Sequence, residues 1–218
     1  SLSKNAFGTF WHPAAVYIDV ETLKTLDERQ YRAGLVESVK HALIADSEYF
    51  EFLESNVDLI LQRQTDVLEK LAEKNCRIKA QVVQQDPYEK NKRRILNYGH
   101  TIGHAVESVS RFKLLHGEAV AIGIIGAGLI ENQMQLSTQG RLTRIRNIYE
   151  RLAMPVTIPK GLRNDELTDA IKRDKKTQRS QPRFVLIEDI GKVYCRDGRY
   201  AVEVPQEMVN GVLEKLKA

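Results

Sequence analysis

The residues most able to do chemistry in this sequence are three closely spaced histidines. His100 and His104 lie four positions apart in "NYGHTIGHAVES", and His116 opens "HGEAVAIG", in a chain with only five histidines. Histidines at i and i+4 of a helix place both rings on one face, a common way to present two ligands to one metal ion. The pattern therefore favours a metal site over three packed core histidines. It leaves open which rings bind the metal and which one does chemistry.

Two glycines flank these histidines, and the histidine spacing does not identify a third ligand. Gly103 precedes His104 and Gly117 follows His116, which indicates that other backbone approaches closely at both points. The segment lacks the glutamate of an HExxH motif. By spacing alone, any of the chain's many carboxylates could complete the site.

The elements that must position the histidines are mostly helices. Asp27 is the predicted N-cap of a helix over residues 27–46, and Pro87 ends a long helical run. Two further helices are predicted over residues 100–110 and 116–136. The second is apolar nearly all round, which is typical of a central core helix. Three more helices are predicted: one that ends before Pro155, one that begins near residue 164 and one that follows Pro205.

A minor β component is predicted at two places. Residues 14–20, "AAVYIDV", have the β-branched, apolar character of a short buried strand. Residues 183–204 predict short strands with turns at residues 189–191 and 197–198. The predicted fold class is therefore mostly α with a few short β-strands.

Composition narrows the class of protein. The 218 residues carry a net charge of +4 without a basic stripe, so no nucleic-acid partner is expected. The longest apolar run is about a dozen residues, shorter than the roughly 18 that a membrane span needs. Cys76 and Cys195 form no CxxC motif, and with no signal peptide this predicts a cytoplasmic protein. The chain opens abruptly, so we expect a piece of a longer protein.

Five segments together resemble the 3-dehydroquinate synthase family of sugar-phosphate cyclases. They occur in the family's order and at its usual spacing: "RAGLVESVKHALI", "RIKAQVVQQDPYEKNKRRILN", "LNYGHTIGHAVE", "LLHGEAVAIG" and "KRDKK". The resemblance covers only the family's later part. It implies that residues 1–26 are the tail of an NAD-binding domain and residues 27–218 a helical metal- and substrate-binding domain. The family's glycine-rich nucleotide-binding half is absent from this sequence.

The resemblance implies a metal centre and an acid–base residue. Glu37 matches the family's carboxylate ligand, and His100 and His116 match its two imidazole ligands for zinc or cobalt. Three protein ligands leave the open position that a catalytic zinc site requires. His104 then matches a histidine near the substrate phosphate, with a general acid–base role.

The resemblance also implies residues that contact the substrate. Lys40 matches a lysine on the substrate phosphate, and either Lys175 or Lys176 should reach the site. Lys79, Arg93 and Asn97 match groups that hold hydroxyls and a carboxylate, for which the forked guanidinium of arginine is suited. By residue type alone, the Glu37–Lys40 pair and the charges at 79 and 93 read as solvated surface groups.

Two short stretches match the family's contacts with NAD. Lys4 and Asn5, in "SKN", match the end of a "GKN" element, with Ser3 in place of the glycine. The stretch "TLKT" matches a segment that lies against the cofactor; it comprises Thr22, Leu23, Lys24 and Thr25.

The implied activity is NAD- and zinc-dependent conversion of 3-deoxy-D-arabino-heptulosonate 7-phosphate to 3-dehydroquinate and phosphate, in the shikimate pathway. The implied partners are this small phosphorylated sugar acid and a second copy of the chain in a homodimer. We expect the chain alone to bind zinc, to bind NAD poorly and to be inactive.

Three alternatives remain. One is another sugar-phosphate cyclase, of the 2-deoxy-scyllo-inosose or 2-epi-5-epi-valiolone synthase type; Arg93 argues for a substrate with a carboxylate instead. The second is a metal-dependent alcohol or glycerol dehydrogenase, which has a different histidine pattern. The third is a metal-binding helical module without catalysis, which would need only the three ligands.

Overall fold

A computed structural model describes residues 14–173 and 181–217, and this part of the chain is predominantly helical, as predicted. A 3₁₀ helix, Val20–Thr25, precedes the first α-helix, and a second one, Lys92–Asn97, precedes α5. The α-helices are α1 Glu28–Ala45, α2 Ser47–Ser55, α3 Val57–Leu61, α4 Thr65–Gln85, α5 His100–Val109, α6 His116–Gln133, α7 Gln139–Arg151, α8 Asn164–Arg173 and α9 Gln206–Lys215.

Helix α6 is the centre of the core, which confirms the prediction from its all-round apolar character. It packs against α1, α5, α7 and α9. Ile122, Ile124 and Ile125 are all fully buried. Burying each such side chain contributes about 1.5–3 kcal/mol relative to exposure, so α6 is a main source of stability. None of the described helices combines the length and the apolar character needed to cross a membrane.

Two glycines of α6 allow neighbouring backbone to come unusually close. A Cβ at Gly117 would lie 2.0 Å from the carbonyl oxygen of Ala33 in α1. A Cβ at Gly123 would lie 1.9 Å from the carbonyl oxygen of Gly99, just before α5. The first contact lies one turn before Glu37 on α1, and the second lies next to the start of α5. The missing side chains therefore let α1, α5 and α6 meet at the histidines.

The predicted helix boundaries at Asp27 and Pro87 are confirmed. The Asp27 carboxylate accepts hydrogen bonds from the backbone N–H groups of Arg29 and Gln30, as an N-cap does. Helix α4 ends at Gln85, two residues before Pro87. Capping and proline chemistry act locally, which is why the sequence alone predicts these ends.

The β component is two antiparallel pairs. Strand β1 (Arg183–Val185) pairs with β4 (Ala201–Glu203), and β2 (Ile187–Asp189) pairs with β3 (Lys192–Val193). Turns fall at residues 190–191 and 197–198, as predicted.

A buried ion pair ties this β region to the helices. The Arg141 guanidinium donates to a Glu131 carboxylate oxygen at 2.8 Å and to the Ile187 carbonyl at 2.9 Å. Glu131 accepts in turn from the Ile187 backbone N–H at 2.9 Å. The contact therefore fixes β2 against α6 and α7.

The prediction of a buried strand over residues 14–20 is wrong. Residues 15–19 have no regular secondary structure, and Val20 already belongs to the first 3₁₀ helix. Val16, Tyr17 and Ile18 are exposed, Tyr17 at 95%. A buried strand needs neighbours on both sides, and in the described part of the chain no strand pairs with this segment.

Candidate active site

Three side chains from three different helices converge on one point. Glu37 lies in the middle of α1, and His100 and His116 are the first residues of α5 and α6. Oε1 of Glu37 lies 3.7 Å from Nε2 of His100 and 3.5 Å from Nε2 of His116. One donor atom from each residue lies within 4.8 Å of the others. The structure therefore brings together the three predicted ligands, although they span 80 positions of sequence.

The donor atoms have the chemistry of a metal site. Oε1 of Glu37 is buried and has no hydrogen-bond partner among the described residues. Leaving a buried carboxylate oxygen unsatisfied costs free energy, which a bound cation would offset. Two imidazole nitrogens and one carboxylate oxygen form a ligand set that catalytic zinc uses, with a position left open. The residues therefore fit a zinc-like ion.

Both histidines predicted as ligands have Nδ1 next to an acceptor. Nδ1 of His100 lies 3.0 Å from the Tyr98 carbonyl oxygen, and Nδ1 of His116 lies 3.3 Å from Oε2 of Glu107. Carbonyl and carboxylate oxygens only accept, so each ring donates from Nδ1. Burial and the charge of Lys40 lower the pKa of His100 to about 4. His100 is therefore neutral at physiological pH, as a ligand must be.

Lys40 forms an ion pair with Glu37 inside the protein. Its ammonium lies 2.5 Å from Oε2 of Glu37, and Lys40 is only 3% exposed. Burial would raise the pKa of Glu37, but His116, Lys40 and His100 outweigh burial and hold that pKa well below its usual range. Burial lowers the pKa of Lys40, opposed by Glu37. The reading of this pair as a solvated surface contact is therefore wrong.

His104 lies beside the three converging side chains. Its ring centroid is 5.2 Å from that of His100 and 5.9 Å from that of His116. His104, Glu107 and His116 also form a second group whose donor atoms lie within 4.8 Å of one another. The structure thus contains two overlapping candidate ligand sets that share His116. The acid–base role of His104 stays a prediction.

The predicted substrate residues Lys79, Arg93 and Asn97 lie on elements that pack together beside the site. Lys79 is exposed on α4, and its charge contributes to the lowered pKa of Lys40. Arg93 and Asn97 lie on the second 3₁₀ helix, which packs against α1 and α4. Arg93 donates to the Pro87 carbonyl at 2.9 Å, and Asn97 donates to Oε1 of Glu89 at 3.2 Å. Their substrate contacts stay predictions.

The predicted cofactor residues within the described part of the chain are Thr22, Leu23, Lys24 and Thr25. Residues 22–25 form most of the first 3₁₀ helix, where Thr22 Oγ1 donates to the Asp19 carbonyl and Lys24 donates to Thr65 Oγ1 at 2.9 Å. Their cofactor role stays a prediction. Four predicted residues lie outside the described part of the chain: Lys4, Asn5, Lys175 and Lys176.

Sequence reasoning missed a clamp that fixes the start of α6. Arg29 Nε and Nη2 donate to the two carboxylate oxygens of Glu118, each at 2.7 Å. Glu118 also accepts from the Leu115 backbone N–H at 2.8 Å. The clamp ties the first turn of α6, and with it His116, to α1. The signal was present, because a glutamate at the third helical position is part of a capping box.

A family model described as 3-dehydroquinate synthase C-terminal matches residues 34–177. The chain belongs to the 3-dehydroquinate synthase family. The match includes all three predicted ligands and ends in the charged segment that follows α8 in the sequence. The resemblance inferred from the sequence motifs is thereby confirmed.

Curated relatives named 3-dehydroquinate synthase match along most of the chain. The protein from Ruminiclostridium cellulolyticum is 44% identical over 191 residues, which cover 88% of this chain and 53% of that protein. The protein from Nitrosospira multiformis is 36% identical over 218 residues, which cover 100% of this chain and 58% of that protein. The chain thus spans just over half the length of these relatives.

Solved structures of related cyclases share the fold. The 2-epi-5-epi-valiolone synthase of Streptomyces hygroscopicus, solved with NAD⁺ and Zn²⁺ bound, has a TM-score of 0.85 at 28% identity. A 2-deoxy-scyllo-inosose synthase, solved with carbaglucose-6-phosphate, NAD⁺ and Co²⁺, has a TM-score of 0.86 at 27% identity. The aligned parts cover 98% of this chain and 58–59% of theirs. The mostly α fold class is confirmed.

Proposed function

We propose that this chain is the C-terminal part of a 3-dehydroquinate synthase. The reaction is the conversion of 3-deoxy-D-arabino-heptulosonate 7-phosphate to 3-dehydroquinate and phosphate, with NAD and a divalent metal. The observation that carries the proposal is the convergence of Glu37, His100 and His116 beside the buried Lys40. The curated relatives named 3-dehydroquinate synthase support this reaction over the alternatives.

Glu37, His100 and His116 hold the metal, which is zinc or cobalt. Their donor set suits either ion, and related cyclases were solved with Zn²⁺ or Co²⁺ together with NAD⁺. When bound, the metal supplies Lewis-acid polarisation of substrate oxygens and NAD supplies a reversible hydride acceptor. The ion pair with Lys40 holds Oε2 of Glu37 and leaves Oε1 directed at the two histidines.

The other residues bind the substrate and move protons. The substrate phosphate is bound by positive charge from Lys40 and from either Lys175 or Lys176. His104 is the acid–base group next to this phosphate. Imidazole suits this role because it titrates near neutral pH. Lys79 and Asn97 hold hydroxyls. The Arg93 fork binds the carboxylate, the group that separates this substrate from neutral sugar phosphates.

The cofactor contacts are shared with a part of the protein that this sequence lacks. Residues 1–26 form the tail of the NAD-binding domain, and residues 27–218 form the helical domain. Lys4, Asn5, Thr22, Leu23, Lys24 and Thr25 contact NAD. The 218 residues therefore bind NAD poorly and are inactive alone. The complete enzyme is a cytoplasmic homodimer.

The test is substrate-dependent phosphate release by an enzyme in which this chain is joined to a family nucleotide-binding half. We expect release from the seven-carbon phosphorylated keto acid, abolished by chelation and restored by zinc or cobalt. Turnover of a sugar phosphate that lacks the carboxylate instead would identify another cyclase. Oxidation of a polyol without phosphate release would identify a dehydrogenase. Turnover by the 218 residues alone would contradict the expected division of the site.

A further inference from the structure

We propose that Glu107 is a positioning residue that orients His116 for metal binding. Glu107 lies in the last turn of α5, and His116 is the first residue of α6. The role we assign to Glu107 is to accept the Nδ1–H of His116, so that Nε2 offers its lone pair to the ion. This inference rests on the metal site of the proposed function. Glu107 was not among the residues that sequence reasoning singled out.

The His116 ring lies between two carboxylates. Its Nδ1 is 3.3 Å from Oε2 of Glu107, and its Nε2 is 3.5 Å from Oε1 of Glu37. Neutral imidazole has one N–H and one lone pair, and an ionised carboxylate only accepts hydrogen bonds. With Nδ1–H donated to Glu107, the lone pair lies on Nε2, on the side of Glu37 and His100. Without Glu107, the His116 proton could occupy either ring nitrogen. In the tautomer with the proton on Nε2, that nitrogen has no lone pair to offer the metal ion.

His116 depends on this contact more than His100 depends on its own. The His100 side chain is 12% exposed and its Nδ1 bonds to the Tyr98 carbonyl, so packing and backbone both hold it. The His116 side chain is 38% exposed, so fewer neighbours restrict its rotation. A side chain held less by packing needs a hydrogen bond to fix its rotamer. Removing such an outer partner of a metal-bound histidine typically costs about 10–100-fold in metal affinity.

One competing arrangement uses the same atoms differently. His104, Glu107 and His116 could themselves bind a cation, with Glu107 as a direct ligand. The two arrangements predict opposite effects of His100→Ala and His104→Ala. If Glu107 is a positioning residue, His100→Ala abolishes tight zinc binding and His104→Ala largely retains it.

The experiment measures zinc affinity of the 218-residue chain by competition with a chromophoric chelator, for the unmodified chain, Glu107→Ala and Glu107→Gln. The exposed Glu69→Gln on α4 is the matched control for loss of one carboxylate. We expect about 10–100-fold weaker binding for Glu107→Ala, a smaller loss for Glu107→Gln, and none for Glu69→Gln. Glutamine keeps an acceptor oxygen but loses the charge that strengthens the bond. The visible spectrum of bound Co²⁺ should show the same coordination number in Glu107→Ala as in the unmodified chain. Thermal unfolding without metal monitors folding.

The outcomes separate this inference from the proposed function. If Glu107→Ala binds zinc as tightly as the unmodified chain, the positioning role alone is overturned. If Glu107→Ala does not fold, the same affinity in Glu107→Gln would overturn it. Loss of zinc in His104→Ala but not in His100→Ala would also overturn it, by making Glu107 a ligand. An unmodified chain that binds no zinc would overturn the metal site and this inference together.

Discussion

Replacing Gly117 with alanine should separate α1 from α6 at the point where the proposed metal ligands meet. The added Cβ would lie 2.0 Å from the Ala33 carbonyl oxygen, where an ordinary contact begins at 3.4 Å. One of the helices must then move by about 1.4 Å, because a backbone carbonyl inside a helix cannot turn aside. Ala33 lies one turn before Glu37, and Gly117 adjoins His116. The shift therefore acts directly on the distance between two ligands.

The expected effect has two parts. Overpacking of this kind typically costs about 1–3 kcal/mol in the free energy of unfolding, which for a chain of this size lowers the melting temperature by about 2–12 °C. Zinc affinity should also fall, because ligands must be held within about 0.5 Å of a productive geometry. The assay is thermal unfolding of the metal-free chain, followed by zinc competition under conditions where the variant is folded.

Gly34 offers a matched control on α1. A Cβ there would have no heavy atom within 4 Å, and Gly34 lies next to Ala33 in the same helix. Gly34→Ala should stabilise the chain by about 0.5–1 kcal/mol, since alanine is the better helix former, and should leave zinc affinity unchanged. If Gly117→Ala matched Gly34→Ala in both measurements, the reasoning that close helix contact builds the site would be refuted.

Three further changes probe other contacts. In the complete enzyme, Arg93→Ala should lower kcat/KM for the acid substrate by about 10–100-fold, through loss of charged hydrogen bonds, and leave zinc affinity unchanged; unchanged turnover would refute the carboxylate role. Arg141→Met should cost about 3–5 kcal/mol in urea unfolding, because it leaves the buried Glu131 carboxylate without its cation; a cost below 1 kcal/mol would count against this. Burial would raise the pKa of Asp46, but Lys74 and backbone N–H groups outweigh it and hold that pKa below 3.8. Its stabilising contribution is therefore full above about pH 4 and is lost as pH falls through the lower folded value; Asp46→Asn should flatten the acid limb of a stability–pH curve.

The sequence predicted the helices well because their signals are local. Caps, prolines and apolar periodicity each act within a few residues, as at Asp27 and Pro87. The strand prediction over residues 14–20 failed because an apolar, β-branched pattern indicates a buried environment without providing the neighbours. A strand is a product of pairing, and no described strand pairs with this segment.

The site was harder to predict because its parts come from distant positions. Spacing predicted that His100 and His104 share a helix face, yet the structure groups His100 with Glu37, more than sixty positions earlier. Only the family resemblance identified that carboxylate in advance. Glu107 escaped notice because its partner lies on the next helix, and a glutamate near a helix end otherwise reads as a solvated side chain. Tertiary packing, not local pattern, decides both contacts.

The electrostatics of the site follow from where the ligands sit on their helices. His100 and His116 are the first residues of α5 and α6, so the positive ends of two helix dipoles lie beside the proposed metal ligands. Lys40 adds a full positive charge, and two carboxylates lie against the rings: Glu37 between both rings and that ammonium, and Glu107 beside His116. A divalent cation held there would leave the centre with an excess of positive charge. Such a centre favours an anionic substrate over a neutral polyol, which agrees with the phosphorylated sugar acid of the proposed reaction.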